Sequence, residues 1–366
     1  MARKPIRILF AFLFAAPGVK PAAPVAAELE HAETVRLGFG WRDNVMLSAF
    51  APLARGFART ELESFLLWRH GDWRTIGLLN ADVLRYVSPP ADASGEQQWL
   101  AHAESRWEPR DEWRVALKAD AFLQDMVVDL SETEAARTVL ADRVRGGIAT
   151  FAPRMPIPGG FTLEPSWQLK RVDYRKLTGD YDETRAGARL QWHRGQGPVL
   201  SLGWGENRRS YADRPNYTIR GRPLAGTRLE FRLREVQLRA EKSWRAVGDW
   251  NAALAFTRAS TRDGASGFFD LDQKGARLEL SWRTGPWRLT LEGDAKRADY
   301  RVQTVGTGLA PSPRLADTFS ARLRAERRIN PRWLGFVEQA WERNRSNERE
   351  FSYRANTALA GVQRDF

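Results

Sequence analysis

From Glu28 onward the sequence alternates apolar and polar residues with a period of two, in run after run. Val35, Leu37, Phe39 and Trp41 alternate with Arg36, Gly38, Gly40 and Arg42. Trp113, Val115, Leu117, Ala119, Ala121 and Leu123 oppose Arg114, Lys118, Asp120 and Gln124. Phe161, Leu163, Trp167 and Leu169 oppose Thr162, Glu164, Ser166 and Gln168. The pattern continues with Leu278, Leu280 and Trp282 against Arg277, Glu279 and Arg283, then Leu289 and Leu291 against Arg288, Thr290 and Glu292. Successive side chains of an extended chain point to opposite faces, so each run predicts a strand with one apolar and one polar face. Helical spacing is scarce throughout.

A soluble sandwich also alternates, and the connections separate the two cases. Short turns fall at His70-Gly71-Asp72, Pro109-Arg110-Asp111, Pro156–Gly160, Gly195-Gln196-Gly197, Val247-Gly248-Asp249, Thr284-Gly285-Pro286 and Ile329-Asn330-Pro331. Longer polar segments fall between them, near 47–56, 88–95, 127–136, 175–182, 212–227, 263–272, 304–314 and 346–350. Short and long connections therefore alternate, as they do in a membrane-spanning up-and-down barrel with tight periplasmic turns and longer outer loops. Greek-key sandwiches have no reason to do so. The expected fold is all-β: a transmembrane antiparallel β-barrel of about sixteen strands with both termini periplasmic. Between Leu233 and Val236 the apolar parity shifts, and a β-bulge is expected to restore the phase.

The tryptophans cluster at one end of this scheme. Trp68 and Trp73 bracket one short turn, Trp107 and Trp113 the next, Trp244 and Trp250 a third, and Trp282 and Trp287 a fourth, with Trp192 and Trp333 beside two more. Amphipathic rings collect where strands cross the headgroup boundary, so these ten are read as an aromatic girdle. Arg3, Lys4 and Arg7 precede the apolar run Ile8–Ala16, and Val25-Ala26-Ala27 supplies an A-x-A-like site. This predicts a signal peptide over 1–27 and a barrel over 28–366. The formal net charge is +12, and the chain has no cysteine, which excludes disulfides and thiolate chemistry.

The chain ends on Phe366 after a strand-like segment in which Ala358, Ala360 and Val362 share its face. This resembles the terminal-aromatic signal of Gram-negative outer-membrane β-barrel proteins; Arg364 departs from it, because a large apolar residue is usual there. In size and strand number the chain resembles a general porin. It differs in having no long connection of the kind that folds inward as a constriction, the longest being 212–227. The segment Gly40-Trp41-Arg42-Asp43-Asn44-Val45 is similar to the barrel domain of surface lipoprotein assembly modifiers, although no helical-repeat domain precedes it. The resemblance implies an outer-membrane location, assembly by the barrel assembly machinery, and contact with outer-membrane lipids and lipopolysaccharide.

With the apolar face turned to lipid, the other face lines a lumen carrying Arg114, Lys118, Arg185, Arg189, Arg277, Arg283, Arg322 and Arg324, interleaved with acids such as Glu279 and Glu292. One reading is a basic pore favouring anions; the other is a cross-strand salt-bridge network that holds the wall. His102 is the only histidine whose parity places it inside, beside Glu104 and Arg106, and no nucleophile motif, metal-ligand spacing or phosphate-binding loop accompanies it. Aromatic and basic residues lie on opposite faces of each strand, which excludes a nucleic-acid stacking groove. No enzyme activity, cofactor or metal is expected. The leading function is passive passage of small, including anionic, solutes; the second is a non-enzymatic scaffold or surface-export partner, and an outer-membrane hydrolase is third. Oligomeric state is not legible.

Overall fold

The computed structural model describes residues 27–89, 94–129, 139–176, 179–306 and 311–366. The segment read as a signal peptide lies, but for Ala27, outside the described residues. Sixteen long strands close into one antiparallel barrel. In chain order they are β1 (Glu28–Arg42), β2 (Arg55–His70), β3 (Trp73–Tyr86), β4 (Gly95–Arg110), β5 (Trp113–Asp129), β6 (Val139–Ile157), β7 (Phe161–Tyr174), β8 (Tyr181–Trp192) and β9 (Val199–Tyr211). After a two-stranded ribbon, β10 (Asn216–Tyr217) and β11 (Pro223–Leu224), come β12 (Glu230–Ala246), β13 (Gly248–Asp263), β14 (Leu271–Thr284), β15 (Trp287–Val305), β16 (Ser312–Arg328), β17 (Trp333–Ser346) and β18 (Tyr353–Asp365).

Neighbours in sequence are neighbours in the wall, and β18 returns to β1 with Arg36 opposite Gln363 and Trp41 opposite Ala358. Among the described residues, closure leaves the barrel wall without an unpaired strand edge, which a bilayer would penalise at every unsatisfied backbone group. The even strand number puts both ends of the described barrel on the short-turn side. There the Phe366 amide donates to the Glu33 carbonyl at 3.0 Å.

Ion pairs between non-adjacent strands identify the concave face, because side chains converge inside a barrel and diverge outside it. Arg42 on β1 reaches Tyr86 on β3 at 3.1 Å and Glu96 on β4 at 2.8 Å. Arg114 on β5 reaches Glu164 on β7 at 2.6 Å, and Arg239 on β12 reaches Glu279 on β14 at 3.0 Å. The polar face is therefore the lumen. The opposite face presents Phe39, Leu169, Leu117 and Val337 at 54% exposure or more. A band of this kind suits hydrocarbon rather than water.

Two expectations need correction. No bulge occurs between Leu233 and Val236, since Leu233 opposite Asn207 runs in unbroken register to Val236 opposite Trp204. The parity of the strand never changes; its polarity does. Towards the long-connection end Phe231 and Leu233 turn inward while Arg232 and Arg234 turn outward. The second correction concerns the loops, because long connections do fold inward. Val45, from the connection after β1, is fully buried among the lumen-facing Phe57, Leu84, Phe336 and Leu359. Leu229, Phe268 and Phe269 pack with Tyr181, Tyr211 and Phe231, whose registers also place them inside.

The residues Gly40–Val45 show how the first loop is held. A Cβ at Gly40 would meet the Phe57 ring at 2.5 Å, so only glycine lets that ring lie against the wall. Asp43 accepts a bond from the Asn356 amide at 2.7 Å, and Asn44 donates to the carbonyls of Ser48 and Arg354, both at 2.9 Å. The loop is thus tied across the β1–β18 seam.

Candidate solute pathway

The tryptophans read from the sequence as a girdle share one face and one end of the barrel. Trp68, Trp73, Trp107, Trp113, Trp192, Trp244, Trp250, Trp282, Trp287 and Trp333 all stand on the convex face at or next to the short-turn ends of their strands. Several touch: Trp244 stacks on Trp250 with ring centroids 5.9 Å apart, and Trp250 meets Trp282 at the same separation.

On the concave face the charges are closely interleaved, and acids come close to balancing bases. Arg277 pairs with Glu279 at 2.9 Å, Arg185 with Glu235 at 3.3 Å, and Lys118 with Glu104 at 3.6 Å. Arg324 bridges Glu326 at 2.7 Å and Glu338 at 3.2 Å, while Arg322 lies 3.8 Å from Glu338. Glu292 sits in register between Glu279 and Arg322. These groups form the cross-linked charge lattice of the wall.

Two places depart from that balance. Arg114, Arg154, Glu164 and Arg189 stand side by side across β5 to β8, three guanidinium groups around one carboxylate. Glu164 is taken by Arg114, and Arg189 has no carboxylate at ion-pair distance among the described residues. On the far wall Arg283 and Arg288 face one another directly. They line a recess of about 140 Å³ near the short-turn end, with Arg36, Arg328 and Glu326 close by.

A larger cavity of about 730 Å³ occupies the barrel interior. Arg42, Glu96 and Met126 line one side, and Arg277, Asp294, Lys296 and Arg322 the other. His102 lies on the same concave face. Its Nδ1 is 2.7 Å from Asp120 and its Nε2 is 3.8 Å from Glu104, so its ring faces acids rather than a serine hydroxyl.

Several lumenal charges escape a reading by sequence. Arg59 bonds Asp82 at 2.7 Å and approaches Glu338 of β17 at 3.8 Å, closing the lattice across the β1–β18 seam. Arg209 holds Glu183 at 2.8 Å and stacks over Tyr181 at 4.3 Å. Arg154 and Arg239 belong to strands whose apolar faces are interrupted by arginine, which hides their parity. The alternation around them was the only available signal.

The surplus of positive charge lies elsewhere, on the convex face near the long connections. Arg143, Arg145, Arg232, Arg234, Arg258, Arg262, Lys274, Arg297, Arg343 and Arg345 all project outward there. Some meet acids, as Arg232 and Arg234 both meet Glu206, at 2.8 and 3.1 Å.

No family model and no curated protein matches the sequence. Solved structures of outer-membrane porins do match in fold. OccAB1 of Acinetobacter baumannii superposes with a TM-score of 0.50 at 8% identity, over 92% of this chain and 96% of its own. OccK2 of Pseudomonas aeruginosa, solved with glucuronate, gives 0.49 at 10% identity over 92% and 98% of the two chains. An anion-selective porin from Comamonas acidovorans gives 0.46 at 12% identity over 93% and 100%. The match to OccAB1 establishes a shared barrel architecture and, at that identity, nothing finer.

Proposed function

We propose that the barrel is a porin-like, non-enzymatic channel in a Gram-negative outer membrane, passing small solutes, anions among them. One observation carries the reading: a closed wall with an apolar outside encloses a polar cavity of about 730 Å³ lined from opposite sides. Arg189 and the Arg283–Arg288 pair are the cations a passing anion would meet unneutralised, and rings of such groups favour anionic solutes. That the named porins include one solved with glucuronate and one described as anion-selective is consistent with this assignment. Residues 1–27 act in this reading as a cleaved signal, both mature ends face the periplasm, and Phe366 belongs to the segment read by the assembly machinery. The outward arginines meet lipopolysaccharide.

Purified protein in a planar bilayer tests the proposal. Steady conductance with a reversal potential favouring anions supports it, and an electrically silent barrel overturns it. A scaffold or surface-export partner is the second reading. It draws on the inward packing of Val45, Phe268 and Phe269, which fills part of the outer mouth.

A further inference from the structure

Four of the outward cations gather on one patch of the wall. Lys274, Arg297, Asp317 and Arg345 stand side by side across β14 to β17, and Arg343 lies one step below Arg345, opposite Phe319. Arg297 meets Asp299 at 3.2 Å. Lys274, Arg343 and Arg345 have no carboxylate at ion-pair distance among the described residues, in contrast to Arg232 and Arg234, which share Glu206. The patch is a hollow, with a volume of about 540 Å³.

Its depth follows from the strands. Lys274 lies eight residues along β14 from Trp282, and Arg297 and Arg343 lie ten from Trp287 and Trp333 on their own strands. A tilted strand crosses the hydrocarbon in about 9–11 residues. The cations therefore sit at the headgroup level of the leaflet opposite the tryptophan girdle, which is the outer leaflet in the channel reading. Directly below Lys274 and Arg297 the wall is made of small residues, bordered by Phe319. Ala276 is opposite Ala295, and the next row sets Gly293 beside Ala321, with Leu278 and Trp341 standing on either side. Small side chains between large ones make a shallow furrow running down into the hydrocarbon.

We infer that Lys274, Arg297, Arg343 and Arg345 bind the phosphate of an acylated outer-leaflet glycolipid, with one acyl chain lying along the Ala276–Ala295–Gly293–Ala321 furrow. The inference rests on the outer-membrane reading, which fixes the leaflet. Cations at headgroup depth attract anionic lipid, and arginine offers paired donors to phosphate oxygens. Asp317 in the same row disfavours a bare anion, while the furrow gives an acyl chain a surface that inorganic phosphate cannot use. The site thus takes a lipid phosphate in preference to free phosphate.

The test uses the intact barrel, delipidated in detergent, with bisphosphorylated lipid A, its dephosphorylated form, and inorganic phosphate as probes. Binding is read by native mass spectrometry. The triple variant K274Q/R343Q/R345Q should bind phosphorylated lipid A on the order of 100-fold more weakly than wild type, from about fivefold per cation. The variant G293L, which fills the furrow and keeps every charge, should weaken it as well. Equal affinity for the dephosphorylated form overturns the site, as does displacement of the lipid by inorganic phosphate. An equal loss in R232Q/R234Q would show general attraction rather than a site, and would also overturn it. Heat-modifiable gel mobility, measured on every sample, reports separately on the barrel: its absence from wild type would defeat the outer-membrane reading itself.

Discussion

Arg283 on β14 and Arg288 on β15 stand directly opposite one another inside the barrel, and the acids beside them are already engaged. Asp249, opposite Arg283, is held by Arg245 at 2.8 Å; Glu326, opposite Arg288, is held by Arg324 at 2.7 Å. Like charges facing across a strand pair cost up to ~1 kcal/mol, a cost that a solute anion between them would relieve. R283Q/R288Q should therefore shift the reversal potential towards cations without lowering the thermal midpoint. The shift should shrink in salt, as the screening length falls from ~10 Å at 0.1 M to ~3 Å at 1 M. An unchanged reversal potential would mean that the conducting path does not pass this pair.

Arg324 makes the opposite case. It is the shared partner of Glu326 and Glu338, and Glu338 has only 9% of its side chain exposed. Removing the sole partner of a buried charge costs ~3–5 kcal/mol; here Arg59 and Arg322 remain, each 3.8 Å from Glu338. The water within the barrel reduces that penalty, so R324Q should cost about 2 kcal/mol or more, read from urea unfolding in detergent. Stability equal to that of R283Q/R288Q would show that the lattice does not hold the wall.

The outer wall obeys a different rule. Leu117 and Leu291 face outward four residues in from Trp113 and Trp287, and Leu280 faces outward two residues from Trp282. Arginine at Leu117 or Leu291 should cost ~2–4 kcal/mol, and arginine at Leu280, close to the tryptophan end, less. Replacing the lumenal Thr290 by Gln should cost far less. Comparable losses on both faces would reverse the assignment of inside and outside.

How much of this is legible in the sequence depends on depth in the membrane. Within the hydrocarbon band one face must be apolar, so residues such as Leu278, Leu280 and Trp282 declare both strand and orientation. Past the headgroups at the long-connection end that rule lapses. Arg232 and Arg234 turn outward, and Phe231 turns inward onto Phe269 at 5.6 Å between ring centroids. The polarity of β12 inverts without any change of register, which a pattern-based reading mistakes for a bulge. Ion pairs such as Arg59–Glu338 are hidden for another reason: their partners lie far apart in sequence and meet only when the barrel closes.

The seam offers a direct check on that closure. Asn44 is 1% exposed and satisfies backbone groups of Ser48 and Arg354 together. N44A removes three hydrogen bonds that tie the loop to itself and to β18, at ~0.5–1.5 kcal/mol each. The barrel of N44A should lose its heat-modifiable gel mobility at a lower temperature than wild type. No change would mean that the first loop is not part of the closure.

The loop between β13 and β14 carries aromatic residues of the mouth at the long-connection end, and its order is set by two acids. Asp263 accepts bonds from the amides of Ala265, Gly267 and Phe269, and its own amide donates to Asp270 at 2.8 Å. Burial is the main reason the Asp270 carboxyl is held above the ordinary aspartate range, and the nearby Asp263 charge adds to it, against Arg262 and Arg301. The ordered loop therefore binds the Asp270 proton more tightly than a disordered loop does. By linkage, order is gained as pH falls through the raised value, and the gain is complete below the ordinary value of ~3.9, where both states are protonated. Acidification over that window should hold Phe268 and Phe269 more firmly in the mouth and reduce conductance. D270N should remove the pH response, whereas D263A should free the loop and raise conductance at every pH. If conductance rises on acidification, or if D263A conducts as wild type does, this loop does not narrow the mouth.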